Sequence, residues 1–207
     1  MDAKAVREGS ITQAAALGCR VSPSLPLLDE PCSLRSIDEI FRRLMCLHVT
    51  AACAFGLSRT KAKKWIADEG LEQDLERSER DFVYNGSGLP IGFQVRIEGM
   101  WALCWVLGYV ERLDFRNTCD GKFVYLLPNL KEGVRGRELR SKAVLRSLDD
   151  IAAACDLAYC LHWALVEAQI DGSIYPRNLP PHVIVERRRA LEWLCSDDGW
   201  DEVEMDT

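Results

Sequence analysis

The run Met100-Trp101-Ala102-Leu103-Cys104-Trp105-Val106-Leu107 is apolar at every position, so a helix built from it has no face to offer to water. Such a helix must be surrounded by other elements, which commits the chain to a compact domain assembled around it. The stretch Met100–Val110 is about half the roughly 20 residues that cross a bilayer, so it reads as a buried helix and no membrane is expected. At 207 residues, 48% hydrophobic and 28% charged, the composition is that of one ordinary globular domain rather than of a disordered chain.

Helix signals recur on both sides of this segment. Residues 3–17 have helical composition and stop at Gly18, while Val21-Ser22-Pro23-Ser24-Leu25-Pro26 is too rich in proline for anything but an extended arm. Ser36 and Glu39 make a capping box, and Ile37, Ile40, Phe41, Leu44, Leu47, His48, Ala51 and Phe55 follow at helical spacing, predicting a helix over 37–55 ended by Gly56. Ser58 is placed to cap a helix that carries Trp65 and stops near Gly70; another helix is predicted over 75–84 and one over 91–107. Phe123-Val124-Tyr125-Leu126-Leu127 reads equally as a short strand or a helical turn, ended by Pro128. Ser147 opens the longest helix, whose apolar stripe of Ile151, Ala154, Cys155, Ala158, Leu161, Leu165 and Ala168 ends near Gly172. A last helix runs over 182–195. The expectation is a mainly α, compact multi-helix single domain over 1–207 with at most a minor β element. Its parts are an N-terminal helix and extended arm (1–35), a helical half with the apolar core helix (36–110), an irregular segment (111–146), and the long helix, last helix and acidic tail (147–207).

Charge and cysteine usage narrow the function classes. A formal charge of -6 argues against nucleic acid, whose partners concentrate positive charge. The local basic bias of Lys131, Arg135, Arg137, Arg140, Lys142 and Arg146 reads as a solvated loop. The C-terminal stretch Asp197, Asp198, Asp201, Glu202, Glu204 and Asp206 has the opposite bias. Nine cysteines in irregular spacing, Cys32 among them, without a signal peptide point to reduced thiols and a cytoplasmic location. No pair has zinc-knuckle spacing, and only three histidines are present, so no metal and no cofactor is expected.

The candidate chemistry lies on the long helix. Asp156, Tyr159 and Trp163 fall on one face with His162 beside them, a set suited to acid–base work. The competing reading makes Asp156 an acceptor for groups on neighbouring helices, a buried polar contact that fixes register. Glu98, just before the apolar run, and Glu186 and Arg187, opening the last helix, complete a candidate polar core. In it, Glu98 or Asp156 pairs with Arg187, and Asp156, Trp163 and Arg187 tie the central helices together. Trp200, within the acidic tail, either fastens the tail to the domain or, with Asp201 and Glu202, marks a partner contact.

Several of these residues also fall into a known order. Glu98 before Trp101-Ala102-Leu103-Cys104-Trp105-Val106-Leu107-Gly108 is followed by Leu145-Arg146-Ser147, Ala154-Cys155-Asp156-Leu157-Ala158-Tyr159-Cys160-Leu161-His162-Trp163-Ala164 and Val185-Glu186-Arg187. Ala190-Leu191-Glu192-Trp193-Leu194 and Trp200-Asp201-Glu202-Val203 come last. This resembles the bacterial family catalogued as domain of unknown function 4272, across most of the chain. The family pattern tends to carry Arg where this chain has Cys160, which removes a positive charge from the long helix. The resemblance implies a helical fold and leaves the activity open. Two functions of different class remain. One is a non-catalytic binding module that docks a basic protein partner, such as an immunity or antitoxin-like protein. The other is a hydrolase-type enzyme using Asp156, Tyr159 and His162.

Overall fold

The computed structural model describes residues 2–27 and 34–207, and its regular elements are helical, with no strand among the described residues. Helix α1 (Ala3–Ala16) is capped by Asp2, which accepts from the Lys4 amide, and leaves through Gly18 at φ 88°. The Pro-rich arm continues from it; Cys32 and the rest of 28–33 lie outside the described residues. Helix α2 (Ile37–Ala54) begins with both bonds of the Ser36–Glu39 capping box in place and ends at Gly56, where φ is 99°. Phe55 breaks the expected stripe: it is 62% exposed, because the helix stops one residue before it. Helix α3 (Arg59–Glu69) starts at Ser58, although the Ser58 hydroxyl makes no capping bond.

The single helix expected over 75–84 is instead a short α4 (Arg77–Arg80) running into a π turn, Asp81–Asn85. A Glu76–Glu79 capping box starts α4, and the wider turn brings Phe82 onto Phe93, with ring centroids 4.2 Å apart. The helix expected over 91–107 is likewise divided into α5 (Pro90–Gln94) and α6 (Ile97–Val106). At the break, Gln94 donates to the Ala54 carbonyl at 2.9 Å while Arg96 turns toward Glu79 and Asp201. Phe123–Leu126 forms a 3-10 turn rather than a strand, so the minor β element is absent from this region. After the single turn α7 (Arg137–Arg140) come α8 (Leu148–Asp171), capped by Ser147, and α9 (Pro181–Cys195).

The apolar helix α6 sits at the centre. Helix α9 packs along one side of it and α2 along another, while α8 lies between α9 and α1. Gly99 sets the closeness of α6 to α9: a Cβ there would stand 3.0 Å from the Trp200 ring and 3.3 Å from the Glu186 carbonyl. Helix α8 has the length and mean hydropathy, 1.3, of a bilayer span, yet its inward faces are packed against α1 and α9 as in a core helix. In the irregular segment, Arg146 gathers the carbonyls of Trp105, Val110 and Glu111, and Arg140 pairs with Asp38, so part of the basic bias serves the fold.

Candidate functional site

Asp156 is 1% exposed on α8 and is taken up by an arginine that the sequence reading did not single out. Arg7 Nε donates to both carboxylate oxygens at 3.1 Å, and Nη2 donates to Oδ1 at 2.8 Å. Its remaining hydrogens reach the Leu25 and Pro26 carbonyls, pinning the arm against the same point. Asp156 therefore meets neither Arg187 nor Trp163, correcting the expected tie. The cause is geometric: α1 covers this face of α8, whereas Arg187 projects from α9 toward α6. Cys160 Sγ lies 4.0 Å from Asp156 Oδ2, and the positive charge at this carboxylate comes from Arg7.

The other members of the expected acid–base set face a different partner. Arg188 Nη1 donates to His162 Nδ1 at 2.5 Å, which places the ring proton on Nε2, and Arg188 also holds the Met205 and Asp206 carbonyls. Burial, then the charges of Arg188 and Arg189, push the His162 pKa down to about 4. The Tyr159 ring lies between the two guanidinium groups, with Arg7 5.6 Å and Arg188 5.0 Å from its centroid. A base needs a free lone pair and a pKa near the working pH. Here the carboxylate is saturated by Arg7 and the imidazole is held neutral against a cation.

The Glu98–Arg187 pair forms as expected. Arg187 Nε and Nη2 donate to Glu98 Oε2 at 3.0 and 2.5 Å, and both side chains are 1% exposed. Arg187 also donates to the carbonyls of Asp114 and Asn117, and Glu98 accepts the Cys119 amide at 3.0 Å, so the pair fastens residues 114–119 to the core. Burial and the neighbouring Glu98 push the Cys119 thiol up to about 12, which keeps it protonated and unreactive at neutral pH. Glu186 lies beside this pair; burial raises its pKa, and its Oε2 has no hydrogen-bond partner.

Above Glu98 opens a cleft of about 1060 Å³. Ala51, Ala52 and Phe55 at the end of α2 form one wall, and Val95, Ile97 and Met100 at the α5–α6 break form the next. Phe123, Val124 and Tyr125 of the 3-10 turn, with Leu127 just after it, close the third side. Trp101 supports that turn, its ring edge-on to Phe123 at 5.6 Å and its indole N–H donating to the Arg112 carbonyl. His48 reaches the cleft from α2, its Nε2 2.9 Å from the Pro128 carbonyl, and burial lowers its pKa to about 4. The rim keeps large apolar groups in water, with Phe55 62% and Tyr125 84% exposed. Neither Asp156, Tyr159 nor His162 lines this space. Among the described residues no cluster of three or more His, Cys, Asp or Glu side chains is arranged to hold a metal ion.

Trp200 is fully buried and cannot touch a partner. It packs on Trp193 and beneath Arg43, and its amide donates to Glu76 at 2.6 Å. Asp201 pairs with Arg96 at 3.0 Å, whereas Glu202 faces solvent. Arg43 in turn is paired with the wholly buried Glu79, a second internal ion pair absent from the sequence reading. For Arg7 a signal existed: it shares the inner face of α1 with Ser10 and Ala14, three and seven positions on.

Fold and site together define a helical protein held by buried ion pairs, with an apolar recess open to solvent. The chain belongs to the family described as Domain of unknown function (DUF4272), whose model matches residues 7–203. No curated protein and no solved structure matches it.

Proposed function

We propose that this chain is a non-catalytic binding protein of a reducing, cytoplasmic setting, and that the apolar cleft is its recognition surface. The carrying observation is the cleft itself, about 1060 Å³ with exposed Phe55 and Tyr125 at its mouth. A large apolar recess with few polar groups is the common form of a binding site, and apolar rim residues left in water mark surfaces that are covered in use. A hydrolase centred on Asp156, Tyr159 and His162 finds no support in the geometry, since Arg7 and Arg188 already occupy the first and last of these.

A polarity-sensitive apolar dye tests the reading. Its fluorescence should rise with the wild-type chain and fall to baseline for Phe55→Asp and Tyr125→Asp, with melting temperatures unchanged. An enhancement that neither substitution reduces would place the apolar surface elsewhere and overturn the proposal.

The acidic tail favours a second reading, a basic protein partner as for an immunity protein. Asp197, Asp198, Glu202, Glu204 and Asp206 are exposed, and among the described residues no cation forms a salt bridge with them. Such a partner would be captured at low salt and released as salt rises. Capture indifferent to reversing these charges would remove it.

A further inference from the structure

We propose that the cleft takes a free, single-chain amphipathic acid, its apolar chain lying in the recess and its carboxylate at the Lys131 edge; this rests on the cleft being the recognition surface. The interior determines the first half of that ligand. Ile97, Met100, Phe123, Leu127 and Leu130 line it, its more deeply placed polar side chains His48, Gln94 and Glu98 are already engaged within the protein, and the polar residues Thr118, Asn129 and His182 of its lining are exposed to water. His48 Nε2 is matched to the Pro128 carbonyl, Gln94 donates to Ala54, and Glu98 is held by Arg187 and the Cys119 amide. A polar group carried inward would lose its water and find no partner, whereas methylenes lose nothing.

The edge determines the second half. Among the described residues Glu98 is the only acid lining the cleft, and its charge is neutralised by Arg187. Lys131 lines the mouth, is exposed, and forms no salt bridge among the described residues. Lys61 Nζ donates to the Lys131 carbonyl at 3.1 Å, bringing to the same edge a second ammonium that forms no salt bridge among the described residues. In a chain of net charge -6 this edge is cationic, so it favours an anionic head and disfavours a cationic one. The volume, about 1060 Å³, lies just above the range of about 300–1,000 Å³ typical of small-ligand sites, which leaves room for a flexible chain.

Titration calorimetry on the full chain, with ligands below their micelle concentrations, tests the proposal. From octanoate to dodecanoate each added methylene should tighten Kd about threefold to fourfold, as expected for burying a CH₂ group. Decanoate should bind about fivefold tighter than decanol, the scale of an exposed ion pair, and decyltrimethylammonium should bind most weakly. Exchanging both Lys61→Glu and Lys131→Glu, which leaves the core untouched, should abolish the difference between acid and alcohol without moving the melting temperature.

Equal affinity for decanoate and decanol would overturn acid recognition while leaving an apolar binding site in place. Failure of all three ligands, with the dye still responding to Phe55→Asp, would overturn the ligand class but not the cleft. Loss of the dye response as well would remove both. Binding to anionic vesicles in preference to monomeric decanoate would show the partner to be a membrane surface and would also overturn the proposal.

Discussion

Arg7 Nη2 lies 2.8 Å from Asp156 Oδ1, with the two side chains 5% and 2% exposed, so the first helix is clamped to the longest one through a desolvated ion pair. Removing one partner strands the other charge in the interior, a loss of about 3–5 kcal/mol. Arg7→Ala and Asp156→Asn should each lower the urea midpoint on that scale. Dye binding at the cleft should not change under native conditions, because neither residue lines it. A variant that kept full stability and lost only binding would return Asp156 to a functional role.

Acid should destabilise the protein through two histidines. Burial lowers the pKa of both His48 and His162 to about 4, from an ordinary value near 6.5. Between those values the unfolded chain binds more protons than the folded one, so stability rises with pH through this window. Their contribution is complete above about pH 6.5 and is lost as pH falls through about 4. Urea midpoints measured at steps from pH 7 to pH 4 should decline, and the decline should be shallower in a His48→Gln, His162→Gln double variant. Equal slopes would show that these rings are not held neutral.

Trp200 fills the space that Gly99 leaves between α6 and α9. Truncating it to alanine opens a core cavity, and such losses run to about 3–5 kcal/mol. Calorimetric melting of Trp200→Ala should show a correspondingly large fall. Deleting the exposed carboxylates alone, as in Glu202→Gln with Glu204→Gln, should leave the melting temperature near that of the wild type.

Gly108 and Gly70 offer a controlled comparison. Both end helices with positive φ, 75° and 64°, but a Cβ on Gly108 would stand 2.8 Å from the Val144 carbonyl while one on Gly70 meets nothing within 4 Å. Gly70→Ala should therefore cost only the left-handed backbone term, about 1–2 kcal/mol. Gly108→Ala should cost more, because it also displaces the Val144 and Arg146 amides from the Leu107 and Val106 carbonyls. Equal unfolding free energies for the two variants would show that the backbone at Val144 yields freely.

The helices legible in the sequence were those whose ends are set locally. The Ser36–Glu39 box and Gly56 bound α2, Ser147 and Gly172 bound α8, and the unbroken apolar run identified α6 as central. The division at Val95–Arg96 was not legible, since its reason lies in partners far along the chain: Glu79, Asp201 and the Ala54 carbonyl. Side-chain spacing placed Asp156, Tyr159 and His162 close along α8, but could not show that α1 supplies Arg7 to Asp156 while α9 supplies Arg188 to His162. The cleft was hidden for a related reason. Its walls come from α2, the α5–α6 break and a 3-10 turn within 111–146, a stretch without periodicity to read.

The burial of Trp200 also bears on how the protein is made. Its indole completes a space bounded by Gly99, Arg43 and Trp193, residues made well before it in two cases. During synthesis the central helix must wait with that side uncovered until residue 200 has cleared the ribosome. Translation that stalls in the last helix would leave a nascent chain with its core unsealed, a form suited to capture by a chaperone or a protease.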